Sequence, residues 1–544
     1  MSARRPTATL AGAAALALGV TALLVPPAAA AAPAADPAAD PAAELTTGLT
    51  TGLTAELAHG RPGTPDRFAR TVSARAVVRH LEAFQRIADR HDGNRAALTS
   101  GYEASARYVE RTLRHAGYRT WRDPFTFERE VVDAATLTLP DGSTADVDQM
   151  EYAPSTPEGG LTAAVAVPDD PFGCTTEAWG DADPTGAIAV VSRGGDCPFS
   201  AKATAAEALG AVGVVVYNNA EGLFAGTLGA EGVVAVPVVG LSQADGQRLV
   251  QAAQSTAVEV TLDARVHFEE VESFNVLAET RAGRDDNVVM LGAHLDSVEE
   301  GAGINDNGSG SAAILEVAVK LAKERRLNNT VRFAWWGAEE LGLEGSTAYV
   351  RELAEQEGEL DRIATYLNFD MVGSPNYVIG VYDADQSTYE APVEVPPGSA
   401  ETEDVLTGYF DRIGQPWVDT EFSGRSDYQE FILRGVPASG LFTGADDIKT
   451  EEEVALFGGT AGIPHDPNYH SPQDDITNVD HDALRIMTRA IAYATYSLAQ
   501  DTSAINGVSG PGDQGGHGWP GKPGRPWWPS GERSTQPLPL DDAA

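Results

Sequence analysis

Residues 289–311 read VMLGAHLDSVEEGAGINDNGSGS, an apolar run giving way to polar, glycine-rich loops that carry His294 and Asp306. An imidazole nitrogen and a carboxylate exposed after a buried strand are ligands suited to zinc. Asp296, two residues past His294, points the same way in an extended chain and can orient the imidazole from behind. A second apolar run ends in adjacent acids, Glu339 and Glu340, within RFAWWGAEELGLEGS. Like charges this close resist joint ionisation unless a cation neutralises one, so one glutamate can bind metal while the other takes a proton from water. The alternative is an acidic pair that complements the start of a helix. A third run, ATYLNFDMVGS, ends in Asp370 among apolar neighbours, where a carboxylate needs either a metal or a buried hydrogen-bonding partner. HDPNYHSPQDD then offers His465 and His470, and a lone loop histidine is usually a surface residue. His470 is chosen for the set it completes: His294, Asp306, Glu340, Asp370 and His470 fit two zinc ions sharing one bridging carboxylate.

These residues need strand ends to present them. Strands are expected at Asn287 to Leu291, Val331 to Trp336 and Ile363 to Phe369, alternating with helices from Ser311 to about Glu324 and after Leu341. Such alternation implies an α/β fold, a mostly parallel mixed sheet with helices on both faces, and ligands collect at the carboxyl ends of its strands. Helical spacing begins near Ala76, recurs from Tyr102 through Leu113, and closes the folded part from His481 to about Ala499. Residues 158–264 change texture to short Val- and Ala-rich runs, Ala187 to Val191 and Val212 to Tyr217, with a helix after Phe199, and read as a smaller inserted α/β module.

The ends are different material. Arg4 and Arg5, an apolar run from Leu10 to Val25 and the small residues through Ala32 form a signal peptide over 1–32, with a retained membrane anchor as the alternative. Residues 33–74 read as a pro-segment or linker. Residues 501–544 read as a flexible tail, nine Gly and seven Pro between 507 and 540 leaving little means for regular structure. The two cysteines, Cys174 and Cys197, imply a local disulfide in an exported protein, two buried thiols being the alternative. With 38 Lys and Arg against 79 Asp and Glu, the chain carries a formal charge of −41 and repels phosphate backbones and anionic membranes. A secreted protein is therefore expected, with no nucleic-acid partner and no membrane association once the signal is removed.

The strings GAHLDSV, GINDNGSGS, FAWWGAEELGL, LNFDMVGSPN, SGRSDY and DPNYHS, in that order, resemble those of secreted bacterial leucine-type aminopeptidases of the two-zinc metallopeptidase family, over about residues 75–155 and 265–500. GDCPFSAKATAAEALGAVGVVVYNN resembles the protease-associated domain. The resemblance implies a discontinuous zinc exopeptidase domain (75–157 and 265–500) interrupted by that insert at 158–264, which would act as a lid or specificity element or as a passive spacer. It assigns His294 and Asp370 to one zinc, Glu340 and His470 to the other, Asp306 to the bridge and Glu339 to the general base. It also places Tyr469 on the developing oxyanion and Arg425 by the substrate's amino end, and makes Asp306-Asn307 a candidate cis bond. Two Zn2+ ions per chain, peptide or protein N-termini as substrate, large apolar first residues and a monomer follow as expectations. Ca2+ is left open.

A carboxypeptidase or dipeptidase of the same superfamily would share this metal set, and an inactive binding protein could keep the fold. The leucine-type strings favour the aminopeptidase, and all five ligands stand beside an intact Glu339. Neither the G-x-S-x-G elbow nor H-E-x-x-H occurs.

Overall fold

The computed structural model describes residues 64–509 apart from 196 and 225. The expected signal peptide, most of the linker and nearly all of the tail lie outside the described residues. Thirteen strands follow in chain order: β1 (Arg119–Thr138), β2 (Thr144–Gln149), β3 (Leu161–Ala166), β4 (Ile188–Ser192), β5 (Gly213–Tyr217), β6 (Val238–Leu241), β7 (Glu259–Glu279), β8 (Arg284–His294), β9 (Asn329–Trp336), β10 (Ile363–Phe369), β11 (Gly380–Tyr382), β12 (Val418–Thr420) and β13 (Ala438–Phe442).

The part that bears the site is the run β7-β9-β8-β10-β13-β11-β12. Strands β9, β8, β10 and β13 are mutually parallel, β7 and β11 join them antiparallel, and β12 pairs parallel with β11. A strand covered on both faces has no polar side, which is why β8 and β10 read as nearly unbroken apolar runs. Alternate residues still choose opposite layers. Val289, Leu291, Val331, Phe333, Trp335, Leu367 and Phe369 meet the helices Ala74–Ala88, Ser100–Ala116, Gly308–Leu321, Ser399–Ile413 and His481–Gln500. Met290, Ala334, Trp336 and Tyr366 meet the helices Glu344–Glu355 and Gln429–Leu433 on the other face. The expected architecture is therefore present, each of these elements falling within a few residues of its predicted span.

Two features differ from the sequence boundaries. The folded body begins ahead of residue 75, at the short helix Pro65–Ala69, because Phe68 is buried and its ring stacks on Tyr496 of the last long helix at 5.0 Å. The hydrogen-bonded unit of the insert is also wider than 158–264. Strands β1 and β7 pair from Arg119↔Glu279 to Thr138↔Thr261, and β1-β2-β6-β5-β4-β3-β7 then closes on itself through the β1–β7 ladder. At its other end β7 pairs with β9 (Val276↔Trp335), so one long ribbon belongs to both the inserted barrel and the main sheet. Within the insert Cys174 and Cys197 are joined as a disulfide, with Cα atoms 6.0 Å apart.

Removing the Phe68 ring takes away a buried aromatic contact, at a typical cost of about 3 kcal/mol. Phe68→Ala should lower the midpoint of thermal unfolding by several degrees, whereas Val132→Ala on the exposed ribbon should not shift it.

Candidate metal centre

Four of the candidate residues stand where parallel strands run out, and the other two lie in loops that lead into helices. His294 is the last residue of β8, Glu339 and Glu340 follow β9, and Asp370 is the first residue after β10. Asp306 lies in the loop that enters the helix Gly308–Leu321, and His470 in the loop ahead of His481–Gln500. The sheet brings all of them together. His294 Nε2 lies 3.1 Å from Asp306 Oδ1 and 3.2 Å from Asp370 Oδ1. His470 Nε2 lies 3.2 Å from Asp306 Oδ2 and 3.0 Å from Glu340 Oε2. Asp306 thus faces a different imidazole with each oxygen. His294, Glu339 and Asp370 form one group with ligand atoms within 4.8 Å of one another, and His294, Asp306 and Glu340 form another.

Backbone polar groups fix the loops that carry these side chains. The Asp306 and Asn305 main-chain N–H groups donate to Asp474 at 2.9 and 2.8 Å. Asn305 Nδ2 donates to Asp466 at 2.6 Å, and Asn478 Nδ2 donates to both Asp466 and Asp474. The Asp306-Asn307 peptide bond is cis. Asn307 caps the helix by accepting from Gly310 N–H at 2.9 Å, while its Nδ2 donates to the Phe369 carbonyl that precedes Asp370. A Cβ on Gly310 would lie 2.0 Å from that same carbonyl oxygen, so only glycine lets the helix start approach β10 this closely. Ser426 Oγ donates to Asp370 Oδ2 at 2.6 Å. Ala338, Met371 and His470 all have positive φ, 57°, 54° and 50°, beside or at a ligand position, a conformation costing roughly 1–3 kcal/mol that persists where surrounding contacts determine it.

Asp296 acts differently from the sequence expectation. Its carboxylate is 3.8 Å from His294 Nδ1, which lies closer, at 3.3 Å, to the Asp296 main-chain carbonyl. The carboxylate oxygens instead accept from the Glu339 and Glu340 N–H groups, each at 3.3 Å, so Asp296 holds the paired glutamates as well as backing the imidazole.

The pocket is rich in acid and poor in positive charge. Burial pushes Glu339 well above the usual carboxylate range, and burial together with the Asp306 charge brings Glu340 to about 7. Burial alone would raise Asp306, but hydrogen bonds with His294 and His470 hold it below the ordinary range. For the histidines burial works downward and is outweighed, by Glu339 and Asp370 at His294 and by Asp306 and Glu340 at His470, which reaches about 10. Glutamates driven toward neutrality and imidazoles driven toward the charged form mean that the site calls for cations, and a divalent metal supplies that charge without protons. Glu340 Oε1 is buried with no hydrogen-bond partner. Zinc bond lengths of about 2.0–2.2 Å put adjacent tetrahedral ligands roughly 3.3 Å apart, close to the separations here. The donor set fits zinc.

Tyr469 stacks on the His470 ring with centroids 3.8 Å apart, and Arg425 Nη2 lies 3.5 Å from its hydroxyl. His465 is buried away from the centre, 3.4 Å from Glu453, while the ligand candidate His470 is half exposed at the opening. The sequence reading missed Arg95, Asn305, Asn307, Ser426, Asp466 and Asp474, since none belongs to a ligand-like pattern. Arg95 is wholly buried, with Nε donating to the Ala302 carbonyl at 2.8 Å and both terminal nitrogens donating to the Leu295 and Gly303 carbonyls. Burial lowers it to about 10, opposed by Asp296, Asp474 and Asp306. Asp383, Glu403 and Asp419 form a third acidic group, yet Asp383 accepts main-chain N–H bonds from Ser387, Thr388 and Tyr389, which satisfy it without an ion.

A family model described as Peptidase family M28 matches residues 275–495, and a PA domain model matches residues 161–249. The chain is 43% identical over 460 residues to an aminopeptidase of Pseudomonas aeruginosa, covering 81% of this chain and 84% of that protein. It is 41% identical over 438 residues to leucine aminopeptidase 2 of Trichophyton tonsurans, covering 80% and 86%. Its fold is similar to the solved structure of a zinc aminopeptidase from Bacillus subtilis, with TM-score 0.61, 26% identity, and 78% and 95% of the two chains covered.

Asp474 touches no candidate ligand side chain, yet it anchors the backbone that aims Asp306. Asp474→Ala should weaken Zn2+ binding in a chelator competition by about 10- to 100-fold, the range typical of outer partners of metal ligands, with little change in the far-ultraviolet circular dichroism.

Proposed function

The chain belongs to peptidase family M28 and is a metallo-aminopeptidase carrying a PA domain; on that premise we propose that it is a secreted monomer that holds two zinc ions and removes large apolar residues from peptide N-termini. The observation that carries the two-ion reading is the split of Asp306, whose two oxygens face His294 and His470 separately. In this reading His294 and Asp370 hold one zinc, Glu340 and His470 the other, and Asp306 is shared.

Zinc bound there would supply Lewis acidity and a water acidic enough to ionise near neutral pH. The chain's own residues do the rest. Glu339, raised by burial, accepts the proton of the attacking water and passes it to the departing amine. The Tyr469 hydroxyl donates to the oxygen that gains charge as the carbonyl is attacked. Glu339 and Asp370, both buried beside His294, present negative charge to a free α-ammonium and make a blocked N-terminus a poor substrate.

The apolar preference is supported by the name of the Trichophyton tonsurans relative, leucine aminopeptidase 2. Export is supported by the Arg4-Arg5 start with its apolar run and by the Cys174–Cys197 disulfide. No helix among the described residues is long and apolar enough to cross a membrane.

Purified protein should contain two zinc ions per chain, hydrolyse leucine amide but not its N-acetyl form, lose activity on chelation and recover it with zinc. Glu339→Ala should retain zinc while kcat falls by about 10^3-fold or more. One zinc per chain, or loss of metal in that variant, would contradict the assigned roles.

A further inference from the structure

Arg425 lies in the loop between β12 and the helix Gln429–Leu433, with its side chain 41% exposed. Nη1 donates to Asp446 at 3.1 Å and Nη2 to the Tyr469 hydroxyl at 3.5 Å. Its neighbour Ser426 holds Asp370, yet the guanidinium reaches away from Asp370 toward the His470 side of the centre. Of the two arginines that approach the site, Arg95 is sealed beneath it by three carbonyls, whereas Arg425 is open to a ligand. The remaining charged groups around the candidate ligands are acids and the two imidazoles.

We propose that Arg425, rather than lining the substrate's amino end as the sequence resemblance implies, binds the free α-carboxylate of a substrate whose second residue is also its last, so that dipeptides are favoured over longer or amidated substrates of the same first residue. This rests on the aminopeptidase reading above, with the scissile carbonyl oxygen at Tyr469. In a dipeptide the carboxylate carbon lies about 3–5 Å from that oxygen. Arg425 Nη2 lies 3.5 Å from the Tyr469 hydroxyl, and a scissile oxygen hydrogen-bonded to that hydroxyl at about 2.8 Å is then no more than roughly 6 Å from Nη2, which leaves the carboxylate within reach of the guanidinium. A guanidinium has five N–H donors in a planar fork that matches a carboxylate. Two are engaged here, and the others have no side-chain acceptor among the described residues. Of the basic side chains near the centre, Arg425 is the exposed one, while Glu339, Glu340, Asp306 and Asp370 repel a carboxylate, so Arg425 is the side chain suited to accept it.

The test is kcat/KM for Leu-Gly against Leu-Gly-amide with the zinc-loaded full chain. The free acid should be preferred about tenfold at low ionic strength, as expected for a charge-assisted contact, and the ratio should shrink as salt is added. Arg425→Gln should bring the ratio near one, and Arg425→Lys should keep part of it. A wild-type ratio at or below one, which needs no variant to measure, overturns the proposal. So does an Arg425→Gln protein that slows both substrates in parallel with the ratio intact. If the wild type cleaves neither peptide nor leucine amide, the aminopeptidase reading falls with it; cleavage of leucine amide with a flat acid-to-amide ratio overturns this inference only.

Discussion

The Asp306 carboxylate between two imidazoles is the contact on which the site depends. One oxygen serves His294, the other His470, and the remaining acids converge on the same Nε2 atom of each ring, Asp370 at His294 and Glu340 at His470. A carboxylate can bridge two centres only if its backbone is fixed along two directions at once. Here Asp474 grips the main chain before it, Asn307 ties the residue after it to β10, and Gly310 removes the Cβ that would hold the helix away. The loop is therefore clamped between the sheet and the segment that carries His470, which couples the position of Asp306 to that of His470.

The charge of the site imposes the second constraint. Four carboxylates converge on two imidazoles in a buried cleft, and burying unpaired charge is costly. Besides the carboxylate–imidazole pairs inside the pocket, the protein lowers this cost with fixed dipoles and one buried cation. Asp296 accepts two main-chain N–H groups, and Arg95 sits beneath the 295–303 loop donating to carbonyls while its charge faces Asp296, Asp474 and Asp306. The acids that face the pocket keep free lone pairs, as Glu340 Oε1 does. Such a site is suited to a cation, and this ties its architecture to its chemistry.

The inserted barrel is joined to this scaffold through hydrogen bonds, not through a hinge of two loose linkers. The β1–β7 ribbon is continuous from the closed ring of the insert to the pairing of β7 with β9, the strand that delivers Glu339 and Glu340. Arg129 on the ribbon also reaches Glu299, in the loop that follows β8 and leads toward Asp306. The insert is thereby hydrogen-bonded to the strand that leads to the glutamates and ion-paired to the loop that leads toward Asp306.

Much of this was written in local order. The apolar runs of β8 and β10 gave way at once to His294 and Asp370 and that of β9 within three residues to Glu339 and Glu340, and side chains just past a buried parallel strand emerge at the sheet's carboxyl edge, so these four were legible as a set. The helices and the insert were legible for the same reason, since burial periodicity is a property of neighbours in sequence. For the two late histidines, local order offered no distinction and the choice of His470 came from the set and the resemblance; the tertiary structure shows the buried His465 pairing with Glu453 and the half-exposed His470 facing Asp306, an outcome set by how the final loop folds back across the sheet. It alone disclosed Arg95, Asp474 and the wider reach of Asp296, whose roles are hydrogen bonds to backbone up to two hundred residues away. Such bonds leave no pattern in the sequence, because any residue's N–H or carbonyl can be the partner.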